Sequence, residues 1–182
     1  MPLPDECTRH NLILVGFMGT GKSSIGRLLA KRIGFQFMDT DHLLESREGQ
    51  PVARIFRERG EAAFRDLETS TIESLSHLNR CVIATGGGAV LREENRRLLR
   101  QLGFVVALSA TPEVIYERVT RNDKRPLLQT ENPRETIKQL LAARTEHYQE
   151  TAHLTIDTSV IPHAEVAEKI IAEARRAFSW HR

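Results

Sequence analysis

Residues 11–24 read NLILVGFMGTGKSS, an apolar run that breaks into a glycine-rich turn and closes on a lysine and two serines. Gly16, Gly21, Lys22 and Ser23 fit the spacing G-x-x-x-x-G-K-[ST], with Gly19 as a further glycine inside the loop. Glycines in such a loop let backbone N–H groups turn inward around phosphate oxygens, and the helix that follows places its positive end there. Lys22 is expected to reach the β- and γ-phosphates, and the Ser23 hydroxyl to ligate Mg2+. A strand before the loop and a helix after it are the context this reading requires, and both patterns are present. The chain is therefore expected to bind a nucleoside triphosphate. The loop alone does not say where a phosphoryl group would go.

Outward from the loop, short apolar runs recur at 11–16, 35–39, 81–85, 104–109 and 154–157. Most are nearly continuous rather than alternating, as expected of strands buried on both faces. Amphipathic helical patterns lie between and after them, at 24–33, 65–78, 94–102, 133–149 and 164–178. Strand followed by helix, repeated, predicts a parallel sheet with right-handed crossovers and helices on both faces, a three-layer α/β sandwich. Two stretches depart from simple βαβ spacing. Between FQFMD (35–39) and CVIAT (81–85) there is room for two or three helical segments, an insert over about 42–80. The stretch RNDKRPLLQTENPRE (121–135) is charged, carries two prolines and is too polar for a core, so it is expected to be a lid.

The composition suits one domain over 1–182: 40% of the residues are hydrophobic, 27% are charged and the formal net charge is +2. That balance gives no sign of a nucleic-acid partner, and with aromatics at 5% there is no stacking platform or long basic stripe. Cys7 and Cys81 are far apart and suggest reduced thiols, the opening MPLPDECTRH has no apolar signal core, and no run is long enough to span a bilayer. A cytoplasmic protein with no membrane partner is expected.

The strand at 35–39 ends in DTDH, giving Asp39 and Asp41 at the crevice where α/β sheets bind ligands. Asp39 is placed to support the Mg2+ shell and Asp41 to accept a proton from a substrate hydroxyl. Asp41 could equally cap the helix HLLESRE, since Asp is a favoured N-cap. The metal role for Asp39 gains weight because CVIAT ends in Thr85 rather than in an acid. FRDLE (64–68) places Arg65 early in a helix, and TGGG (85–88) places three glycines where backbone can approach a ligand and offer amide donors. KRPLL (124–128) carries Arg125, and ARTEHY (143–148) carries Arg144. Guanidinium groups bind carboxylates in forked pairs, so Arg65 and Arg144 could clamp an anionic acceptor while Arg125 closes on the transferring phosphoryl group.

Together GFMGTGKSS (16–24), DTDH (39–42), FRDLE (64–68), TGGG (85–88), KRPLL (124–128) and RTEHYQETA (144–152) resemble the shikimate kinase family, in the family's order and over roughly residues 11–157. The resemblance implies a five-stranded parallel sheet of order 2-3-1-4-5, a P-loop NTPase fold similar to that of nucleoside monophosphate kinases. It implies ATP as co-substrate, Mg2+, and transfer of the γ-phosphoryl group to the 3-hydroxyl of shikimate by a monomer. Carried over by motif, Asp41, Arg65, Gly87 and Arg144 would bind shikimate, with Asp41 as proton acceptor. Gly19, Thr20, Gly21, Lys22, Ser23 and Ser24 would hold ATP, with Lys22 and Arg125 at the phosphates and Arg118, with Arg121 as the alternative, at the adenine. Ser23 and Asp39 would face the metal. Within RTEHYQETA the proline or leucine often found between the arginine and tyrosine is missing, and 157–166 carries no distinctive motif.

Other nucleotide-dependent classes fit less well. A gluconate kinase would share the loop and the sheet, but would not require two carboxylate-clamping arginines beside FRDLE and TGGG. A GTP-dependent switch protein would need Asn-Lys-x-Asp after a strand, which RNDKR (121–125) does not supply.

Overall fold

The computed structural model describes residues 10–120 and 132–178. Five strands, β1 (Leu12–Gly16), β2 (Gln36–Asp39), β3 (Cys81–Ala84), β4 (Phe104–Ser109) and β5 (Leu154–Asp157), form one sheet in the order β2-β3-β1-β4-β5. Every pairing is parallel, with Leu12 beside Val82 on one side and Phe104 on the other. The strand order is the one the family resemblance implies.

Seven α-helices lie between and after the strands among the described residues: α1 (Lys22–Ile33), α2 (Thr40–Glu48), α3 (Val52–Ser74), α4 (Glu93–Leu102), α5 (Pro112–Thr120), α6 (Pro133–Thr151) and α7 (His163–Ala177). Successive side chains of a strand point to opposite faces, so β1 serves two cores at once. Ile13 and Val15 pack with Ile72, Leu99, Ile115 and Tyr148 from α3, α4, α5 and α6. Leu12 and Leu14 pack with Ile25 and Leu29 of α1 and Val166 and Ile170 of α7. Burial on both faces explains the continuous apolar spelling of β1, β3 and β4. The outer strands β2 and β5 depart from that expectation and are partly exposed, because they sit at the sheet's edges. At the β2 edge, Arg27 and Arg80 lie 4.6 and 5.5 Å over the rings of Phe37 and Phe35.

β1 is held in register at its start by a buried amide. Asn11 Nδ2 donates to the carbonyls of Leu78 and Leu102 (both 2.9 Å), and its Oδ1 accepts from Cys81 N (2.9 Å). The helix expected over 65–78 is the second part of a longer one that begins at Val52 and bends at Gly60 (φ 80°, ψ 174°). Leu44, Ile55 and Phe64 form a small separate core that packs α2 against α3. Residues 121–131 lie outside the described residues, and with them Arg125, Arg121 and most of the stretch read as a lid. No helix among the described residues is long and apolar enough to cross a membrane.

Candidate active site

The loop after β1 is shaped by backbone. Gly16, Gly19 and Gly21 have φ of 143°, 79° and 96°, and a methyl group on Gly16 would stand 2.3 Å from the Leu108 carbonyl oxygen. Gly21 also opens α1, and no side chain caps that helix. Its first-turn N–H groups are therefore presented to an anion, with the exposed Ser23 and Ser24 beside them. Thr20 serves the loop itself: it is fully buried and its hydroxyl donates to Phe17 O (2.8 Å). Lys22 Nζ donates to Gly16 O (2.8 Å) and Phe17 O (2.9 Å), which holds the ammonium within the loop's curve.

Arg118 of α5 moors this loop to the far edge of the sheet. Its Nη1 donates to Gly19 O (3.2 Å) and Thr158 Oγ1 (3.1 Å), and its Nη2 to Thr158 O (2.6 Å). The Thr158 hydroxyl lies 3.0 Å from the carbonyl oxygens of both Thr20 and Ser109.

Asp39 caps α2, with Oδ1 accepting from the N–H groups of Asp41 (3.1 Å) and His42 (3.4 Å). The alternative of a cap at Asp41 is thereby excluded. Asp39 Oδ2 accepts from Ser23 Oγ (2.8 Å), so the two oxygen donors expected to face a metal are adjacent. Hard oxygen donors suit Mg2+, which takes few protein ligands and keeps phosphate oxygens and water in its shell. No group of three or more His, Cys, Asp or Glu among the described residues is arranged to hold a metal by itself.

With the cap supplied by Asp39, the Asp41 side chain faces inward. A methyl group on Gly86 would stand 2.6 Å from Asp41 Oδ1 and 2.9 Å from Glu68 Oε1, so both carboxyls converge on that glycine. Burial pushes the Asp41 carboxyl up to about 6; the Asp39 and Glu68 charges add to this and Lys22 opposes it. Burial likewise raises Glu68, against the pull of Arg65, Arg92 and Arg144.

Arg65 Nη1 donates to Glu68 Oε2 (2.7 Å), and its guanidinium lies against Gly88, where a methyl group would meet Nη1 and Nη2. Arg144, only 9% exposed, sits 5.5 Å over the Phe17 ring. One turn further along α6, the Tyr148 hydroxyl donates to Gly87 O; burial pushes that phenol up to about 12, so it remains a donor at neutral pH. The TGGG glycines thus have distinct neighbours: carboxyls at Gly86, the tyrosine at Gly87 and the guanidinium at Gly88. The Gly86 N–H is engaged by Thr40 Oγ1 (3.1 Å) rather than offered to a ligand. The structure brings Asp41, Arg65, Gly87 and Arg144 to one glycine-floored hollow, with Lys22 close enough to influence Asp41.

The family model for shikimate kinase matches residues 18–175, most of the chain. The chain belongs to the shikimate kinase family. A shikimate kinase from Thermodesulfovibrio yellowstonii is 48% identical over 166 residues, covering 91% of this chain and 95% of that one. The structure of an Acinetobacter baumannii shikimate kinase in complex with shikimate superposes with a TM-score of 0.87 at 41% identity, over 91% of this chain and 93% of that one. A gluconokinase from Sinorhizobium meliloti shares the fold alone, with a TM-score of 0.58 at 18% identity over 98% of this chain and 96% of that one.

Glu68, Thr158 and His163 are among the residues at this site to which the sequence assigns no role. Glu68, within the quoted FRDLE, is 2% exposed; its Oε2 binds Arg65 while its Oε1 is buried without a hydrogen-bond partner. An acid one helical turn after an arginine is the signal that FRDLE offers. Thr158 and His163 lie in the stretch without a distinctive motif. His163 Nε2 would stand 3.0 Å from a methyl group on Gly21, and burial together with Arg118 lowers its pKa. Their contacts are tertiary, and no local pattern announces them.

Proposed function

We propose that this chain transfers the γ-phosphoryl group of ATP to the 3-hydroxyl of shikimate, giving shikimate 3-phosphate for chorismate and aromatic amino-acid synthesis. The observation that carries this reading is the convergence of Arg65 and Arg144, from separate helices, on a glycine-floored hollow beside Asp41. Two guanidinium groups suit a carboxylate, and a carboxyl at their side suits hydroxyls. That combination selects a small carboxylated polyol.

Asp41 accepts the proton of the attacking hydroxyl. With its carboxyl pushed up to about 6 it is ionised at neutral pH yet basic enough to take a proton. Arg65 and Arg144 hold the substrate carboxylate, and Glu68 fixes the Arg65 guanidinium against Gly88. Gly87 contributes backbone that a side chain would otherwise keep from the substrate. The loop from Gly19 to Ser24 cradles the phosphates of ATP, with the Lys22 ammonium reaching the β- and γ-phosphates. Ser23 and Asp39 would hold Mg2+, whose chemistry is to neutralise charge on the phosphates. Arg118 has its N–H edge taken by protein carbonyls, so the adenine would meet its flat face. Arg125 is assigned to the transferring phosphoryl group on the sequence and the family resemblance. We take residues 42–80 as the substrate-binding insert of a single domain, and the protein as a cytoplasmic monomer without nucleic-acid or membrane partners.

The test is ATP consumption with shikimate, gluconate or single-stranded DNA supplied as acceptor. Shikimate alone should give one ADP for each phosphorylated product. ATP turnover driven by gluconate or DNA and not by shikimate would overturn the reading.

A further inference from the structure

Arg65 already carries a carboxylate on the edge that suits a second one. Glu61 Oε1 accepts from Arg65 Nε (3.3 Å) and Nη2 (3.2 Å), while Glu68 Oε2 accepts from Nη1 (2.7 Å). The Nε–Nη2 edge is one of the two faces through which a guanidinium binds carboxylate in a fork. The two glutamates differ in how readily they can leave. Glu68 has a side chain 3% exposed, and withdrawing it would leave a buried charge unpaired. Glu61 is 61% exposed, its bonds are longer, and it can turn into water with little loss. It is also the first residue after the bend at Gly60, where a side chain would meet nothing within 4 Å.

We propose that Glu61 is a built-in competitor for the substrate carboxylate, holding the forked edge of Arg65 until an anion displaces it and so raising the affinity an anion needs to enter. This rests on the reading of Arg65 as a carboxylate ligand. A simple anion held by Arg65 alone must compete with Glu61 directly. Shikimate brings a carboxylate that Arg144 also binds and hydroxyls that Asp41 holds, so it prevails where sulfate or acetate does not. Once displaced, the Glu61 carboxylate stands beside another carboxylate without its former partner, and the like charges oppose binding further. Glu61 thus lowers affinity for every anion at Arg65, which keeps weakly held ones out while shikimate still binds.

The experiment uses Glu61→Gln and Glu61→Ala, with Arg65→Ala as the control for the underlying reading. Shikimate affinity is measured by calorimetry, KM and kcat by steady-state kinetics, and inhibition by titration with sulfate. Removing the competing charge should tighten shikimate about two- to fivefold, the scale of an exposed ion pair, with KM changing more than kcat. Sulfate should inhibit both variants at lower concentrations than it inhibits the parent. If KM rises, Glu61 orients Arg65 for the substrate and the competitor role is wrong. Unchanged KM and sulfate inhibition would make it a bystander. Should Arg65→Ala bind shikimate normally, the carboxylate clamp itself fails, an outcome separate from either result at Glu61.

Discussion

The phosphate cradle and the acceptor hollow lie side by side but are made in opposite ways. The cradle is one contiguous stretch whose shape comes from backbone, with glycines at φ values that other residues avoid and amides pointed by the start of α1. The hollow is assembled from side chains on α2, α3 and α6 over a glycine floor, and opposed charges hold it: Asp41 and Glu68 against Arg65 and Arg144. A backbone cradle recognises what every nucleoside triphosphate shares. On the proposed reading a hollow of balanced charges recognises one acceptor, and single side chains should tune it independently of the cradle.

The largest expected effect follows from Asp41→Asn. Turnover should fall by a factor on the order of 10^2–10^4, the range for losing a general base, while ADP affinity stays within about twofold. Near-normal turnover would remove Asp41 from the chemistry, and a large loss of ADP affinity would join the two halves into one site. Next come Arg65→Ala and Arg144→Ala, each expected to weaken shikimate binding by about 2–5 kcal/mol through the loss of a partner to a largely buried carboxylate. Titrating each folded variant with shikimate and then with ADP checks this. ADP binding should be almost untouched.

A smaller effect concerns stability. Burial, assisted by Asp39 and Glu68, raises the Asp41 carboxyl from its ordinary 3.8 to about 6, so the native chain holds that proton more tightly than the unfolded chain. Native stability is then highest below pH 4 with respect to this group and declines as pH rises through 6, by about 3 kcal/mol in all. Asp41→Asn cannot ionise and should escape the decline. In metal-free buffer, urea unfolding should find the variant similar to the parent at pH 4 and more stable above pH 6.5. A difference that does not change with pH would mean that the Asp41 charge is not under strain in the hollow.

The contrast also explains what the sequence could and could not announce. The cradle and β1 are readable because their causes are local: an apolar run, glycines at fixed spacing, a lysine and a serine. Strand order follows from the family resemblance rather than from the apolar runs, which show strands without saying which neighbours pair. For the same reason the runs do not say which strands become the partly exposed edges β2 and β5, since edge position is a property of the whole sheet. Asp39 against Asp41 is a finer case. The sequence offers Asp41 as the cap, and only the backbone geometry entering α2 decides that Asp39 takes it and releases Asp41. Glu68 was visible in FRDLE, but its burial under Arg65 depends on how α3 lies over the glycine floor. The mooring of the cradle by Arg118 and Thr158 joins residues 40 apart, with no pattern in either stretch to mark it.

That mooring supplies the smallest effect, and a place where the cradle depends on distant side chains. Arg118 bonds Gly19 O on the loop and both the hydroxyl and the carbonyl of Thr158 beyond β5. Arg118→Ala leaves the Gly19 and Thr158 carbonyls to water, and the loop keeps its glycine geometry and the bond from the Thr158 hydroxyl to Thr20 O. The loss should be about 1–1.5 kcal/mol, close to tenfold in ADP affinity, with shikimate affinity unchanged. Arg118→Lys should recover little, because an ammonium lacks the planar fork that spans two carbonyls and the flat face for a base. Thr158→Val separates the two contributions: it removes the hydroxyl that meets Thr20 but keeps the carbonyl that Arg118 binds. If Thr158→Val weakens ADP as much as Arg118→Ala does, the arginine acts by holding the loop in place. If only the arginine variant loses affinity, the guanidinium meets the nucleotide directly, and a side chain does in the cradle what backbone does elsewhere.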